Sequence, residues 1–321
     1  MTDEADGGSH AADDAQEQHV LNTELLNAEL PDKRFDGPDY LAWLYDQNPE
    51  GGGVYEGIDE EGRRMAHYAL IPQRWRNAGG PAPVYFSLNA VTRSGAQRKG
   101  YFVQIGHRIY ERARLQGAKG ILAVPNEKST PGALKYLGYR FLGPLPVRVL
   151  APVGSAKAYE SRAVDAEWLA SDEFAAIAAD IDRPAASGWT QAWTPDQLRW
   201  RLSQPRAGYA VHVSDDLFAV SVEHRFLGVP FAVIVKFLPR TALAVGETVA
   251  SGGAVAAACR FHRAPAAVYA GFNAHVRVRG VRPPRRLQPA PLNLLFRSLS
   301  DEVPQETFAL DTYEFLDFDA Y

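Results

Sequence analysis

The stretch Thr92–Phe102, "TRSGAQRKGYF", brings Arg93, Arg98 and Lys99 together with Gly95 and Gly100 and contains no acid. An apolar run, "PVYFSLNAV", precedes it, and "VQIGHRIYERARLQ", apolar at helical spacing, follows it. A turn that feeds a helix leaves the first backbone N–H groups without partners, and the helix dipole adds about half a positive charge there. Glycine lets a bulky anion approach the backbone closely. The pattern suits a phosphate or pyrophosphate, although a basic helix start without a ligand has the same composition. Elsewhere, His67 in "MAHYALI" is a titratable group on a central strand and a candidate general base, with Glu56 as a second. Both also read as ordinary structural residues. Tyr40, Trp43, Tyr45 and Asn48 offer aromatic faces and an amide that could wall an acceptor pocket, or else a helix core. Asp317 and Asp319 in "EFLDFDAY" could hold an ammonium group. There is no G-K-[ST] phosphate loop, no G-x-S-x-G elbow and no H-E-x-x-H, and the histidines show no ligand spacing, so no metal is expected.

The elements that must position these residues follow from pattern. "GPDYLAWLYDQN" reads as a short aromatic helix. "GVYEGIDEEGRRMAHYALIP" alternates around an Asp-Glu-Glu-Gly turn and reads as a hairpin. Phe102, Ile105, Ile109 and Ala113 recur at helical spacing with Gly117 as the stop. "GILAVPN" is a buried strand, and "STPGALKYLG" a helix capped at Ser129. After a small, polar linker at 152–165, the second half repeats the same grammar, with strands "LFAVSVEHR" and "PFAVIVKFLPR", helix "VASGGAVAAACRFHR" and strand "AAVYAGFN".

Composition narrows the class. The chain has 321 residues and one cysteine, Cys259, which excludes an intrachain disulfide and points to a reducing, cytoplasmic setting. No apolar run reaches the roughly 18 residues of a membrane span. Residues 1–30 hold eight acids and no Lys or Arg, so 34 basic residues face 38 − 8 = 30 acids in the remainder. That near-neutral body gives no general case for nucleic acid, despite five arginines between Arg277 and Arg286. The acidic, polar start reads as a disordered tail whose first twenty residues are dispensable.

Gln97-Arg98-Lys99-Gly100-Tyr101-Phe102 resembles the Q/R-x-x-G-x-G/A coenzyme A loop of the GNAT (GCN5-related) N-acetyltransferases. "PNEKSTPGALKYLGY" is similar to that family's second signature. "WLYDQNP" and "AHYALIP" look like the acceptor half of members associated with sugar and surface-polysaccharide enzymes. The resemblance implies an α+β fold with a mixed central sheet flanked by helices at 31–151, followed by a second, degenerate GNAT-like half at 166–321. It implies acetyl-CoA as cofactor, with the loop around Arg93, Gln97, Arg98, Lys99, Gly100, Tyr101 and Phe102 on the pyrophosphate. Asn89, Ala90 and Val91 would hold the thioester arm, and Asn126 and Ser129 would lie alongside. The acceptor would be the amine of a small, sugar-like or nucleotide-linked molecule, and a homo-oligomer is compatible. Two positions depart from the family: Phe102 replaces the last Gly or Ala of the loop, and Leu134 stands where a general-acid tyrosine is common. These departures keep a non-catalytic binding protein in view, beside a peptidyl-transfer enzyme of the related cell-wall type. In the second half, "TALAVGET" lacks the loop pattern and any basic side chain, so one coenzyme site per chain is expected.

Overall fold

The computed structural model describes residues 6–30, 32–181, 187–226, 228–284 and 290–318. The first half runs α1 (Asp6–Glu29), α2 (Asp39–Asp46), β1 (Val54–Glu60), β2 (Arg63–Ile71), β3 (Arg74–Asn77) and β4 (Gly80–Thr92). It continues α3 (Tyr101–Leu115), β5 (Gly120–Ala123), α4 (Thr130–Tyr136), β6 (Arg140–Pro144) and β7 (Val147–Leu150). The second half opens with β8 (Glu160–Ala163), α5 (Ala166–Leu169), α6 (Asp172–Ala179), β9 (Thr190–Gln191), α7 (Pro195–Leu202) and β10 (Ala210–Val213). Then come β11 (Leu217–Phe226), β12 (Val229–Pro239), β13 (Val249–Ala250), α8 (Gly252–Phe261), β14 (Ala267–Asn273) and β15 (Val276–Arg277). Two strands, β16 (Asn293–Ser298) and β17 (Thr312–Glu314), follow, the second leading into a 3-10 turn at Phe315–Asp317.

Two mixed sheets flanked by helices result, and each half contains the same unit. β4 pairs parallel with β5 from Val84↔Gly120 to Ser87↔Ala123, and the two strands then part. β12 pairs parallel with β14 from Ala232↔Ala267 to Ile234↔Tyr269 and then parts likewise. Each of these central strands carries one extra residue just beyond the last parallel pair. It falls opposite Tyr68 on β4 and at Val235 on β12. A bulge bends the strand that bears it, which helps each pair diverge.

The halves are not closed in sequence. β5, buried along its whole length, takes its second partner from β16, antiparallel through Leu295↔Ala123 to Ser298↔Gly120. β14 takes its second partner from β7, through Ala267↔Leu150 to Ala270↔Val147. Each half thus lends a strand to the other. The two-half plan stands, but a boundary near 151 does not separate self-contained domains. One apolar core contains Tyr40, Trp43, Phe86 and Leu122 with Trp200, Phe296, Phe308 and Tyr313. Trp43 and Trp200 stack at 4.9 Å and each donates its indole N–H to the other's carbonyl, at 3.0 and 3.1 Å.

The start of the chain needs correction. Residues 6–29, expected as a disordered acidic tail, form helix α1. Leu25 and Leu26 are fully buried, Asn22 accepts from the Arg64 guanidinium, and His19 bonds Asp46 at 2.7 Å. The polar composition of the first twenty residues hid the apolar and hydrogen-bonding stripe that begins by Gln18. Removing residues 1–29 is therefore expected to destabilise the protein. Two buried leucines contribute about 3–5 kcal/mol, so a melting temperature lowered by roughly 5 °C or more is expected. An unchanged melting curve would show that α1 adds nothing.

Candidate active site

The opening between β4 and β5 is where the first half can hold a ligand. Asn89 in the bulge has φ +51, and Ala90 is exposed although it lies inside a 13-residue strand of the sheet. From Leu88 onward the edge of β4 that faced β5 has no partner strand among the described residues. Beyond it, Arg98 (φ +70) and Gly100 (φ +82) turn the chain into α3. Val103 and Gln104 donate to the Gly100 carbonyl. The amides of Lys99, Gly100, Tyr101 and Phe102 find no acceptor among the described residues. A Cβ built at Gly100 meets nothing within 4 Å, so the space in front of this helix start is open. Four free N–H groups, an open approach and the dipole of a 15-residue helix suit an anion.

The charge around the turn differs from expectation. Acids distant in sequence reach the turn and answer one of its three positive side chains. Lys99 pairs with Glu60 at 2.9 Å, and the Tyr101 hydroxyl donates to the same carboxylate. Ser94 donates its amide and its hydroxyl to Glu29 of α1, at 2.8 and 2.7 Å. Arg93 donates to the Arg64 carbonyl. Exposed pairs of this kind are weak, and an arriving anion can displace them. Gln97 is exposed, and Asn126 turns its side chain onto the amides of Lys128 and Ser129 just before α4.

Phe102 lies across the same opening. Its ring stacks on Tyr68 at 5.7 Å with 11° between planes, and the Cβ position of Gly132 in α4 lies 3.5 Å from it. It bridges the first turns of the two helices that follow the parting strands. Below it, Tyr68 bonds Ser87 and Tyr110 at 2.8 and 2.6 Å, and Tyr110 donates to Tyr139 at 3.0 Å.

His67 and Glu56 stand on opposite faces of the sheet. Glu56 pairs in register with Tyr68 and Gly57 with His67, and side chains alternate along a strand. Glu56 is tied to Arg112 of α3 at 2.6 Å, away from the loop. His67 is 1% exposed, and its Nε2 lies 3.0 Å from the Tyr45 hydroxyl. Asn89 donates to that hydroxyl oxygen at 2.8 Å, so one short hydrogen-bonded chain links Asn89, Tyr45 and His67. Burial, helped by the nearby Arg64 charge, lowers the His67 pKa to about 3. Burial raises that of the Tyr45 phenol.

The expected acceptor wall does not form. Tyr40 and Trp43 lie in the shared core, and Asn48 is 5% exposed, donating to the Pro72 carbonyl and accepting from the Glu50 amide. Of the four residues only Tyr45 touches the opening's machinery, through Asn89. The Tyr45–His67–Asn89 chain was not legible in the sequence, because it joins a helix and two strands.

In the second half a further strand enters the equivalent opening. β17 pairs with β14 through Gly271↔Glu314 to Asn273↔Thr312, past the point where β12 has left. Lys236 of β12, 1% exposed, bonds Glu314 at 2.9 Å and both Asp317 oxygens at 2.8 Å, with both acids fully buried. Asp317 does hold an ammonium, but that of Lys236; Asp319 lies outside the described residues.

The sequence matches no family model and no curated protein. Among solved structures the chain is similar to a GCN5-related N-acetyltransferase from Anabaena variabilis, at TM-score 0.57 and 10% identity over 88% of this chain and 71% of that one. It is also similar to a probable N-acyltransferase from Enterococcus faecalis, with the same TM-score and coverages at 11% identity. Eis1 from Mycobacterium abscessus follows at TM-score 0.52 and 14% identity, over 90% and 72% of the two chains. The fold is that of the GCN5-related N-acetyltransferases. At these identities the likeness speaks for fold alone.

The buried histidines of this GNAT fold have a measurable consequence. His67 and His212 are both lowered to about 3 by burial. In the unfolded chain they titrate near 6.5. Between those values the unfolded state binds more protons, so stability is full above pH 6.5 and falls as pH drops towards 3. Each histidine adds a slope of at most about 1.4 kcal/mol per pH unit. Glu314, raised to about 7 by burial, acts in the opposite direction between its ordinary value and 7. The decline should therefore steepen below about pH 4.5. Urea midpoints measured from pH 7.5 to 4 check this, and a flat profile would contradict neutral buried imidazoles.

Proposed function

We propose that the chain is an acyl-CoA-dependent N-acyltransferase that moves an acetyl group from acetyl-CoA to the amine of a small, sugar-like or nucleotide-linked acceptor. The observation that carries this reading is the helix start at Gly100. Its four unpaired amides lie just past the parted strands and the Asn89 bulge. Those amides, with Arg98 beside them, would hold the pyrophosphate, and the open edge of β4 at Asn89–Val91 would hold the thioester arm. When bound, the cofactor supplies an activated acyl carbonyl for direct attack by a neutral amine. Donors on the β4 edge would stabilise the charge that develops on that carbonyl oxygen. Tyr45 and His67 act as positioning residues: they are 0% and 1% exposed and fix Asn89. As the C–N bond forms and the C–S bond breaks, the amine's proton would pass to water on the exposed Ala90 side and the departing thiolate would take one from water. The sugar-like acceptor rests on the resemblance of "WLYDQNP" and "AHYALIP", and cytoplasmic location on the single cysteine.

Gly100→Val tests the cofactor site. A branched side chain at φ +82 would fill the open approach. Acetyl-CoA affinity is expected to fall at least tenfold, about 1.4 kcal/mol. Gly62→Val, at φ +74 in the β1–β2 turn with equally open surroundings, controls for backbone strain and should bind normally. Equal calorimetric affinity of both variants and the parent would reduce the basic turn to a plain helix start.

A second reading, a binding or assembly protein that kept the fold without the chemistry, is favoured by Phe102 lying across the opening. Absence of acetyl-CoA binding by the parent protein, restored by Phe102→Gly, would select it.

A further inference from the structure

The second half contains a cavity of about 30 Å³ at the C-terminal ends of β12 and β14, lined among others by Gln191, Trp193, Lys236, Asn273 and His275. It holds room for two or three water-sized groups. Three of its lining side chains are buried, at 5%, 7% and 5% exposure, yet Gln191 Oε1, Trp193 Nε1 and His275 Nε2 have no hydrogen-bond partner among the described residues. Leaving one such group unsatisfied costs about 1–3 kcal/mol, and three around one cavity point to an occupant.

Chemistry narrows that occupant. The Lys236 ammonium spends its hydrogens on Glu314 and Asp317, so it offers no free donor. Arg76, also on the wall, has a partner of its own. Burial lowers the His275 pKa, and the Arg76 and Lys236 charges add to that, outweighing Asp311; the ring is neutral. The open demands are then one acceptor for the indole N–H, one donor for the Gln191 carbonyl, and one donor for Nε2 when His275 is protonated on Nδ1. An alkylammonium has no acceptor for Trp193. A carboxylate has no donor for Gln191. With His275 protonated on Nδ1, a hydroxyl leaves one of the three unmet. We infer that this cavity binds a primary carboxamide group, its oxygen on Trp193 and its two N–H bonds on Gln191 and His275. The site stands apart from the Gly100 loop, so its failure would leave the acyltransferase reading untouched.

The test is the indole N–H spectrum of the 15N-labelled full chain titrated with acetamide, and separately with acetate and methylammonium. Trp193→Phe assigns the resonance among the six tryptophans. A saturable shift of the Trp193 signal with acetamide, at least tenfold weaker with either ion, is expected. Gln191→Leu should weaken it tenfold again. Should Gln191→Leu fail to fold, the discrimination between amide and ions in the parent protein still decides. No saturable shift, or equal response to acetate, would overturn the proposal and leave two or three ordered waters as the filling.

Discussion

Lys236→Met is expected to destabilise the protein by about 3–5 kcal/mol, the cost of removing one partner from a buried ion pair. Glu314 and Asp317 are fully buried, and Lys236 is the cation that both reach. Burial alone would lower the Lys236 pKa, but the Asp317 and Glu314 charges outweigh it and raise it, so the ammonium is the resident form. Without it the two acids lose their counter-charge in an apolar interior, and Glu314, already raised by burial, must take up a proton. Tyr269 and the Asn273 amide still bond Glu314, at 2.9 and 3.2 Å, but they bring no positive charge. A triple variant, Lys236→Met with Glu314→Gln and Asp317→Asn, should recover most of the loss. It removes all three charges and keeps an acceptor for the Glu314 amide that now bonds Asp317 at 2.7 Å. Urea unfolding of the parent, single and triple variants checks this. A single variant as stable as the parent would mean the triad is solvated.

Residues 1–155 expressed alone are expected not to fold, although they contain the whole basic turn and the helix α3 that follows it. Without β16, β5 loses a strand on one edge, and the core loses Leu294, Leu295 and Phe296, all buried. Phe296 stacks on Phe308 at 3.6 Å, and Trp200 and Tyr313 leave with it. Each large side chain contributes about 1.5–3 kcal/mol, so the sum exceeds the 5–15 kcal/mol stability of a typical domain at its lower end. Residues 156–321 lose β7 in the same way and fare no better. Co-expression of the two pieces should restore a cooperative unfolding transition. A dispersed amide spectrum from residues 1–155 alone would disprove the mutual exchange of strands.

Much of the local structure was legible because its signals are local. The helix after Gly100 follows from Ile105, Ile109 and Ala113, all buried as that spacing implies. Gly100 and Arg98 take positive φ where the basic turn needed it. A buried cation was also within reach of reading, since Lys236 stands alone in "FAVIVKFL". Its partners were not, being 78 and 81 residues further on.

By itself, the sequence determined the main elements from α2 to α4, the repeated two-half plan and the basic glycine turn that starts a helix. Periodicity, glycine placement and charge act over a few residues, and those are what a linear reading sees. Tertiary structure alone decided the rest. It paired Lys99 with Glu60, enclosed Tyr40, Trp43 and Asn48, and set Tyr45 between Asn89 and His67. It also turned an acidic start into a docked helix and sent β7 and β16 into each other's sheets. Each of these outcomes depends on which distant surfaces meet. An apolar strand such as "GILA" encodes its need for two partners, but nothing in those four residues says which strands will supply them.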